Sequence, residues 1–441
     1  MARELLIAAG PGEWRAALLE GGEPVELYVE RGDRAEAGSI HLGRVRQLVP
    51  ALGAALVDIG ADRRAFLPQS EIVPRGRRLH DGERIVVQIR REAQAGKAAR
   101  VTERLRFLSA SRSGGAFAEL APHPPAPRVP PSPRERGEGR GEGQAETEGL
   151  AAEEVELRRR DLLERAARLD PPARLYPIAT FAAALAAALP AMPDRILVDD
   201  PAALVETRAA FSHAALEHLP EAEWPIDLDA VFAEALSETL MLGGGGRAHF
   251  EATHAGVMID IDSGTPETGS PEHTGLTANL AAATVVARQI RLRNLGGGIV
   301  VDFVGVDSRA SRERVRAALA EALAPDSADP RILGWTRLGH LEVVRPRRGR
   351  PLPEALLERR PGGAFVKTAI TTAHEALRSL RREARAQPGR QWRLIVAPEV
   401  AAALSGAAAP AVQLAEQRFA RKISIEAEHG RDRERFEIAG L

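Results

Sequence analysis

Val257-Met258-Ile259-Asp260-Ile261-Asp262-Ser263-Gly264 and, further on, Gly298-Ile299-Val300-Val301-Asp302-Phe303 are apolar runs that each carry aspartate toward their end. Their length and β-branched content read as buried strands. Side chains alternate across a strand, so Asp260 and Asp262 point to one face while Ile261 points into the core. If the two strands run side by side, Asp302 joins the pair. Three carboxylates so close raise one another's pKa unless a divalent cation neutralises them. Asp260, Asp302 and Asp262 are therefore metal-ligand candidates. An all-oxygen, water-rich shell suits Mg²⁺ or Mn²⁺, which completes its coordination with phosphate oxygens, so a phosphodiester is the natural substrate. The plainer alternative is that these carboxylates solvate a strand end or cap the next loop.

Between the strands, Leu280, Ala283, Ala287 and Ile290 recur at helical spacing within Thr277 to Asn294. Arg288, Arg291 and Arg293 cluster in the last turns, where cations complement a helix C-terminus. They are also placed to hold a polyanion.

In order and spacing, Ile259-Asp260-Ile261-Asp262-Ser263-Gly264, Asn279-Leu280, Ala287-Arg288-Gln289-Ile290-Arg291-Leu292-Arg293, Leu295-Gly296-Gly297 and Ile299-Val300-Val301-Asp302-Phe303 resemble the catalytic core of the ribonuclease E/G family. Thr336-Arg337-Leu338-Gly339-His340-Leu341-Glu342 looks like that family's following strand. The resemblance implies that Asp260 and Asp302 are catalytic and hold a Mg²⁺ that drives endonucleolytic cleavage of single-stranded RNA, leaving a 5′ phosphate and a 3′ hydroxyl. Arg288, Arg291 and Arg337 are the RNA-binding candidates of this region. Three departures stand out: Asp262 replaces a family asparagine, Ala281 a glutamate and Leu338 a phenylalanine. A third carboxylate either tightens metal binding or slows attack on the neighbouring phosphate.

The chain has 441 residues, enough for several domains that each bury a core. Its 60 basic and 61 acidic residues leave a formal net charge of −1, so any RNA surface is a local patch. It contains no cysteine, which excludes disulfides and thiolate metal sites. No apolar run is long enough to span a membrane, and the N-terminus does not read as a signal peptide. A cytoplasmic protein is expected.

Trp14 to Leu19 and Pro24 to Val29 read as a hairpin turned at Gly21-Gly22. From Gly38 the strands become shorter and denser: His41 to Val45, Gly53 to Gly60, Ala65 to Pro68, Glu83 to Ile89. This succession resembles an OB-fold, which binds single strands by stacking bases on aromatic rings beside cations. Phe66 and Lys97 match family positions that touch RNA, and Leu56 stands where a second aromatic ring is expected. Phe66 reads either as that stacking platform or as a core ring.

After Ser109 the family's 5′-monophosphate sensor has no counterpart. Pro122 to Gly149, rich in proline, glycine and mixed charge, reads as a disordered linker. A helix is expected over Ala151 to Leu169, a strand at Arg195 to Val198 and a helix over Ala202 to Phe211, with Asp199 and Asp200 as its cap before Pro201. The basic segment Arg345 to Arg350 is either a solvated run or a contact to RNA backbone. A Cys-Pro-x-Cys zinc-link, expected next by resemblance, is missing, so no zinc is expected and a homo-oligomer, if formed, is not zinc-linked. A helix over Phe365 to Gln387, a strand at Trp392 to Val396, a helix from Pro398 and strands near Ile423 and Phe436 complete a small domain.

The expected architecture is a multidomain α/β protein. An OB-fold RNA-binding β-barrel (38–110) is inserted in a ribonuclease H-like scaffold (1–37 and 151–236), with the linker at 111–150. A deoxyribonuclease I-like catalytic domain (237–350) and a small α/β domain (351–441) follow. The expected function is a Mg²⁺-dependent endoribonuclease acting on single-stranded RNA in processing or decay. The alternative is an RNA-binding protein of little or no turnover on the same scaffold.

Overall fold

The computed structural model describes residues 2–441 except 32–37, 62, 92–97, 109–116, 121–155, 158, 177–179, 190, 212–213, 254, 265–270, 307 and 361–362. Two units are distinguished, Met1–Gly32 with Phe181–Leu441, and Asp33–Thr180. The first begins with three antiparallel strands, β1 (Arg3–Ala9), β2 (Glu13–Glu20) and β3 (Glu23–Arg31), whose β2–β3 turn falls at the expected glycine pair.

The second unit is built on β4 (Ile40–Val49), β5 (Ala54–Asp58), β6 (Ala65–Pro68), β7 (Arg84–Arg91) and β8 (Arg100–Thr102). They pair in the order β4-β5-β6-β8-β7 and close through β4–β7, an OB-like five-stranded barrel. Val45, Val57, Ala65, Leu67, Val87 and Val101 fill its interior. Gly43 is required at one crossing, because a Cβ there would stand 2.5 Å from Val57 Cγ1. Strands β9 (Leu105–Leu108) and β10 (Phe117–Leu120) form a separate ribbon. That ribbon places a strand inside the stretch expected to be linker, most of which lies outside the described residues. Leu162 and Ala166 of helix α1 (159–168) and Leu175 of β11 (Ala173–Tyr176) pack on Ile40 and Leu42 at the barrel's flank.

Back in the first unit come α2 (Phe181–Ala188), β12 (Arg195–Val198), α3 (Pro201–Ala210), β13 (Ala215–His218) and α4 (Leu228–Leu236). The first sheet runs β13-β12-β1-β2-β3, with β1, β12 and β13 mutually parallel. It is buried on both faces: Leu5 and Ile7 pack toward α2 and α3, Leu6 and Ala8 toward α4. Asp200 caps α3, its carboxylate accepting from Ala202 N at 2.9 Å, and Pro201 takes the first helical position. Asp199 is no part of that cap. Its carboxylate is fully buried, accepts from Ala9 N at 2.8 Å and pairs with Arg381.

The second sheet comprises β14 (Thr239–Met241), β15 (Arg247–Ala252), β16 (Gly256–Asp262), β17 (Gly297–Asp302), β18 (Arg331–Trp335) and β19 (Leu341–Arg345), in the order β14-β15-β16-β17-β19-β18. Helices α5 (Pro271–Leu292) and α6 (Arg309–Leu323) cover one face, with Ala283, Ala287, Ile290, Val315 and Leu319 packed on Ile259, Ile261, Ile299 and Val301. Residues 336–340, expected as strand, form the turn between β18 and β19, closed by Thr336 N donating to His340 O at 2.8 Å.

The chain ends with α7 (Leu352–Leu356), β20 (Leu357–Arg359), β21 (Phe365–Lys367), α8 (Ala369–Ala386), β22 (Trp392–Val396), α9 (Pro398–Ser405), α10 (Ala409–Phe419), β23 (Ile423–Ala427) and β24 (Glu437–Gly440). Phe365 to Lys367 were expected to open the helix. They pair instead with β20, and α8 begins after Thr368, whose Oγ1 accepts from Thr371 N at 3.2 Å. Among the described residues, no helix is long and apolar enough to cross a membrane.

Candidate active site

Strands β16 and β17 are parallel and in a register that sets Asp260 directly beside Asp302. Adjacent strands lie ~4.8 Å apart, and partners in register point to the same side. Ile259, Ile261, Ile299 and Val301 bury against α5 and α6, so the alternation turns Asp260 and Asp302 onto the face that those helices leave open. The pair is the end point of β16–β17 pairing, where the sheet hands its strand ends to loops.

One contact fixes this corner and another the far end of the strand pair. Asn279, buried in α5, donates from Nδ2 to Val304 O at 2.7 Å and accepts at Oδ1 from Val304 N at 2.9 Å. That amide holds the backbone just past Asp302. Gly256 opposes Gly298 where β16 and β17 begin, and a Cβ at Gly256 would stand 2.4 Å from Gly298 O.

Two histidines flank the carboxylates. His340 Nε2 lies 3.5 Å from Asp302 Oδ2. On the other side, His249 of β15 is in register with Asp260, and its Nδ1 is 2.9 Å from Thr239 Oγ1. A polar row therefore crosses the open face: Thr239, His249, Asp260, Asp302 and, at the mouth of β19, His340. Neither histidine was singled out from sequence. The alternation of Arg247, His249 and Glu251 with Ala248 and Phe250 carries the signal for one, since it marks β15 as a strand with one polar face.

Asp262 shares the face but sits one pleat beyond the Asp260–Asp302 pair. It is opposite Arg247, and its Oδ1 accepts from Gly264 N at 3.0 Å to close a turn. The expected gathering of three carboxylates is thus replaced by two. Among the described residues, no three His, Cys, Asp or Glu side chains are grouped to hold one ion. A pair of carboxylates on an open face fits Mg²⁺, which keeps several waters and takes one or two protein carboxylates. Asp260 and Asp302 are the residues able to hold it.

Arg291, and Arg293 just past α5, belong to the interior, while Arg288 is half-buried. Arg291, 6 % exposed at its side chain, donates from Nε to Glu26 at 2.7 Å and from Nη1 to Glu20 at 2.9 Å. The Arg291 hydrogen bond holds the Glu20 carboxyl below the usual carboxylate range. Arg288 reaches Glu234 at 2.5 Å, and Gln289 donates to the same oxygen at 2.6 Å. Arg293, buried, donates from Nε to Gln289 Oε1 at 2.7 Å and lies 4.1 Å over the Phe250 ring. The surface cluster expected to touch RNA is instead a lattice tying α5 to β2, β3 and α4.

The basic run Arg345 to Arg350 is divided, with Arg345 buried at the end of β19 and Arg347 and Arg348 exposed. Arg345 is buried on Asp326 at 2.6 Å and the Leu295 carbonyl at 2.9 Å, and Arg348 donates to Ser327 Oγ at 2.7 Å. Arg337 is exposed in the turn that carries His340. In the second unit, Phe66 is half-buried and lies outside the barrel's core, because Ala65 and Leu67 take the inward positions of β6. Its cross-strand neighbour on β5 is Leu56. Lys97 lies outside the described residues.

The fold and site thus define a multidomain α/β protein with an OB-like barrel and a carboxylate pair on an open sheet face. The sequence model of the Ribonuclease E/G family matches residues 141–348. The chain is 28 % identical to the ribonuclease G of Escherichia coli K12, and 26 % to the ribonuclease G of Haemophilus influenzae, over 99 % of both chains in each case. It is 28 % identical to the ribonuclease E of Escherichia coli K12 over 95 % of this chain and 44 % of that protein. The model match and the similarity over the whole chain support a divergent relative of the ribonuclease E/G family.

Proposed function

We propose that this protein is a cytoplasmic endoribonuclease that cleaves single-stranded RNA, with Asp260 and Asp302 holding a Mg²⁺ or Mn²⁺ ion and Asp262 outside the first set of ligands. The observation that carries this reading is the in-register pairing of the two aspartates on the uncovered face of the sheet. The match to the family model and the ribonuclease names of the relatives support it.

Bound there, a divalent cation lowers the pKa of a coordinated water and stabilises charge developing on the phosphoryl oxygens. The chain's own residues prepare that event. Asp260 and Asp302 present oxygen donors from neighbouring rigid strands, so their spacing is set by backbone hydrogen bonds. Asn279 fixes the backbone beyond Asp302, and His340 stands against the carboxylate's outer oxygen. Arg337, exposed on the same turn, is placed to meet a phosphate of the strand being cut. Phe66, on the outer face of the barrel, offers a ring for one base to stack on. Cleavage on this scheme leaves a 5′ phosphate and a 3′ hydroxyl. The strand order β13-β12-β1-β2-β3 supports the ribonuclease H-like reading of the scaffold, and the helix-backed second sheet the deoxyribonuclease I-like reading of the catalytic domain.

The test is incubation of end-labelled, AU-rich single-stranded RNA with the protein and Mg²⁺, alongside the Asp302→Ala variant. Internal cuts that disappear in the variant support the enzyme. Tight binding with no cutting by either protein supports the RNA-binding alternative.

A further inference from the structure

One row on the outside of the barrel is only half used by this reading. Across the strands stand Gln47, Leu56, Phe66, Arg100 and Arg91, each in register with the next. Arg100 is the partner of Phe66 on the parallel strand β8, locked there by Phe66 N donating to Ala99 O at 2.7 Å. Ala99 and Val101 bury in the barrel, so Arg100 between them turns outward on the same side as Phe66. It is exposed, and among the described residues its guanidinium has no acidic or hydrogen-bonding partner. Arg46 on the same barrel provides the contrast, since it is paired with Asp58 at 2.9 Å.

Leu56, on the other side of Phe66, is apolar but has no π face. A base on Phe66 therefore finds one flat surface from the aromatic ring and needs a second to be gripped. A guanidinium is planar, stacks on aromatic faces and is weakly hydrated. An arginine is also longer than phenylalanine, so from the neighbouring strand its planar end reaches past the ring and over a base lying on it.

Resting on the proposed function, we infer that Arg100 is a specificity-determining residue of the RNA site: it stacks on the base held by Phe66 and takes the place of a second aromatic ring. Arg91, next in the row and also exposed, sits too far from Phe66 to share that base, and meets only the backbone charge.

The test is binding of the full chain, in EDTA to prevent cleavage, to a fluorescent decamer of oligouridylate, measured by anisotropy. Arg100→Ala is expected to weaken binding ~10-fold, within the range for loss of one stacking platform. Arg100→Lys keeps the charge and loses the plane, and is expected to recover less than about threefold of that loss. Phe66→Leu should also cost ~10-fold. The double variant should lose far less than the ~100-fold product, because both side chains act on one base. Arg91→Ala should cost only about twofold to threefold, a loss that vanishes in high salt. If Arg100→Lys binds like the wild type, or Arg100→Ala does, the stacking role is overturned while the proposed function stands. If the wild type itself fails to bind the RNA, both fall together.

Discussion

Asp260 and Asp302 lie side by side in parallel register, and the second of them stands within 3.5 Å of the His340 ring, between the open face of a sheet and a turn. Their spacing depends on backbone pairing, so the site should be most sensitive to changes that part β16 from β17. Gly256 is such a point. Gly256→Ala puts a methyl group 2.4 Å from Gly298 O, closer than any real contact, and the strands must separate. The expected result is a loss of ~1–3 kcal/mol in stability together with a fall in cleavage larger than the stability loss explains. Urea unfolding followed by cleavage assays at a temperature where the variant is folded measures both.

Asn279 acts at the other end of the pair, beside Asp302, from the helix side. Asn279→Ala leaves the Val304 N–H and carbonyl without their partners in a partly buried place, at a cost of ~1–2 kcal/mol. Asn279→Asp keeps the acceptor for Val304 N but turns a buried carboxylate oxygen toward Val304 O, so it should cost at least as much. Both variants are expected to raise the Mg²⁺ concentration needed for half-maximal cleavage while leaving RNA affinity unchanged.

Arg288 and Arg291 are separated by one turn of helix and by the size of their effect. Removing Arg291 leaves Glu26 without its cation and Glu20 with Arg3 alone, both carboxylates partly buried, so Arg291→Ala should cost ~1–3 kcal/mol. Arg288 pairs with the more exposed Glu234 and Glu23, and Arg288→Ala should cost no more than ~1 kcal/mol. Neither is expected to change RNA affinity once the folded fraction is accounted for. A salt-dependent loss of RNA binding in Arg288→Ala would return that residue to the RNA surface.

Stability should fall on mild acidification. His374 on α8 is buried against Glu13, Arg31 and Arg378, and burial pushes its imidazole down from the usual 6.5 to about 4. The folded state then binds fewer protons than the unfolded state between these values. Its contribution is therefore present in full above pH ~6.5 and is lost as pH falls toward the folded value, at ~1.4 kcal/mol per pH unit. His41, in the second unit, is likewise pushed down to about 4 by burial and then by Arg174. Glu13 shifts in the same sense and carries the loss further down: its three arginines hold its carboxyl well below the ordinary range against burial, so its contribution fades as pH falls below the usual carboxylate value. The expected unfolding midpoint in urea drops steadily from pH 7 to pH 4.5, and His374→Gln flattens that slope. A midpoint independent of pH over this range contradicts the assignment.

Strand alternation at Val257–Asp262 was legible in the sequence because it is a local property, as was the Asp200–Pro201 helix start and the Trp392–Val396 strand. The paired aspartates were legible only as a condition, that β16 and β17 run side by side, and the register met it. Arg291 shows where such reading stops. Its partners lie 271 and 265 residues away, and a basic side chain in the last helical turn looks alike whether it faces solvent or a buried glutamate. Phe66 was ambiguous for the same reason, since only the barrel's inward set of Ala65 and Leu67 decides which way the ring turns. His249 and His340 were silent because antiparallel pairing across β15 and the turn before β19 brings them to the carboxylates, and neither pairing leaves a local mark.

The claim on which the rest depends is that Asp260 and Asp302 together hold one divalent cation. Titration of the protein with Mn²⁺, followed by the electron paramagnetic resonance signal of free ion, tests it without reference to turnover. The wild type should remove one Mn²⁺ per chain at the tightest step, with Asp260→Asn and Asp302→Asn each weakening that step by at least ~10-fold and Asp262→Asn changing it by less than ~3-fold. Equal tight binding by wild type, Asp260→Asn and Asp302→Asn would contradict the account.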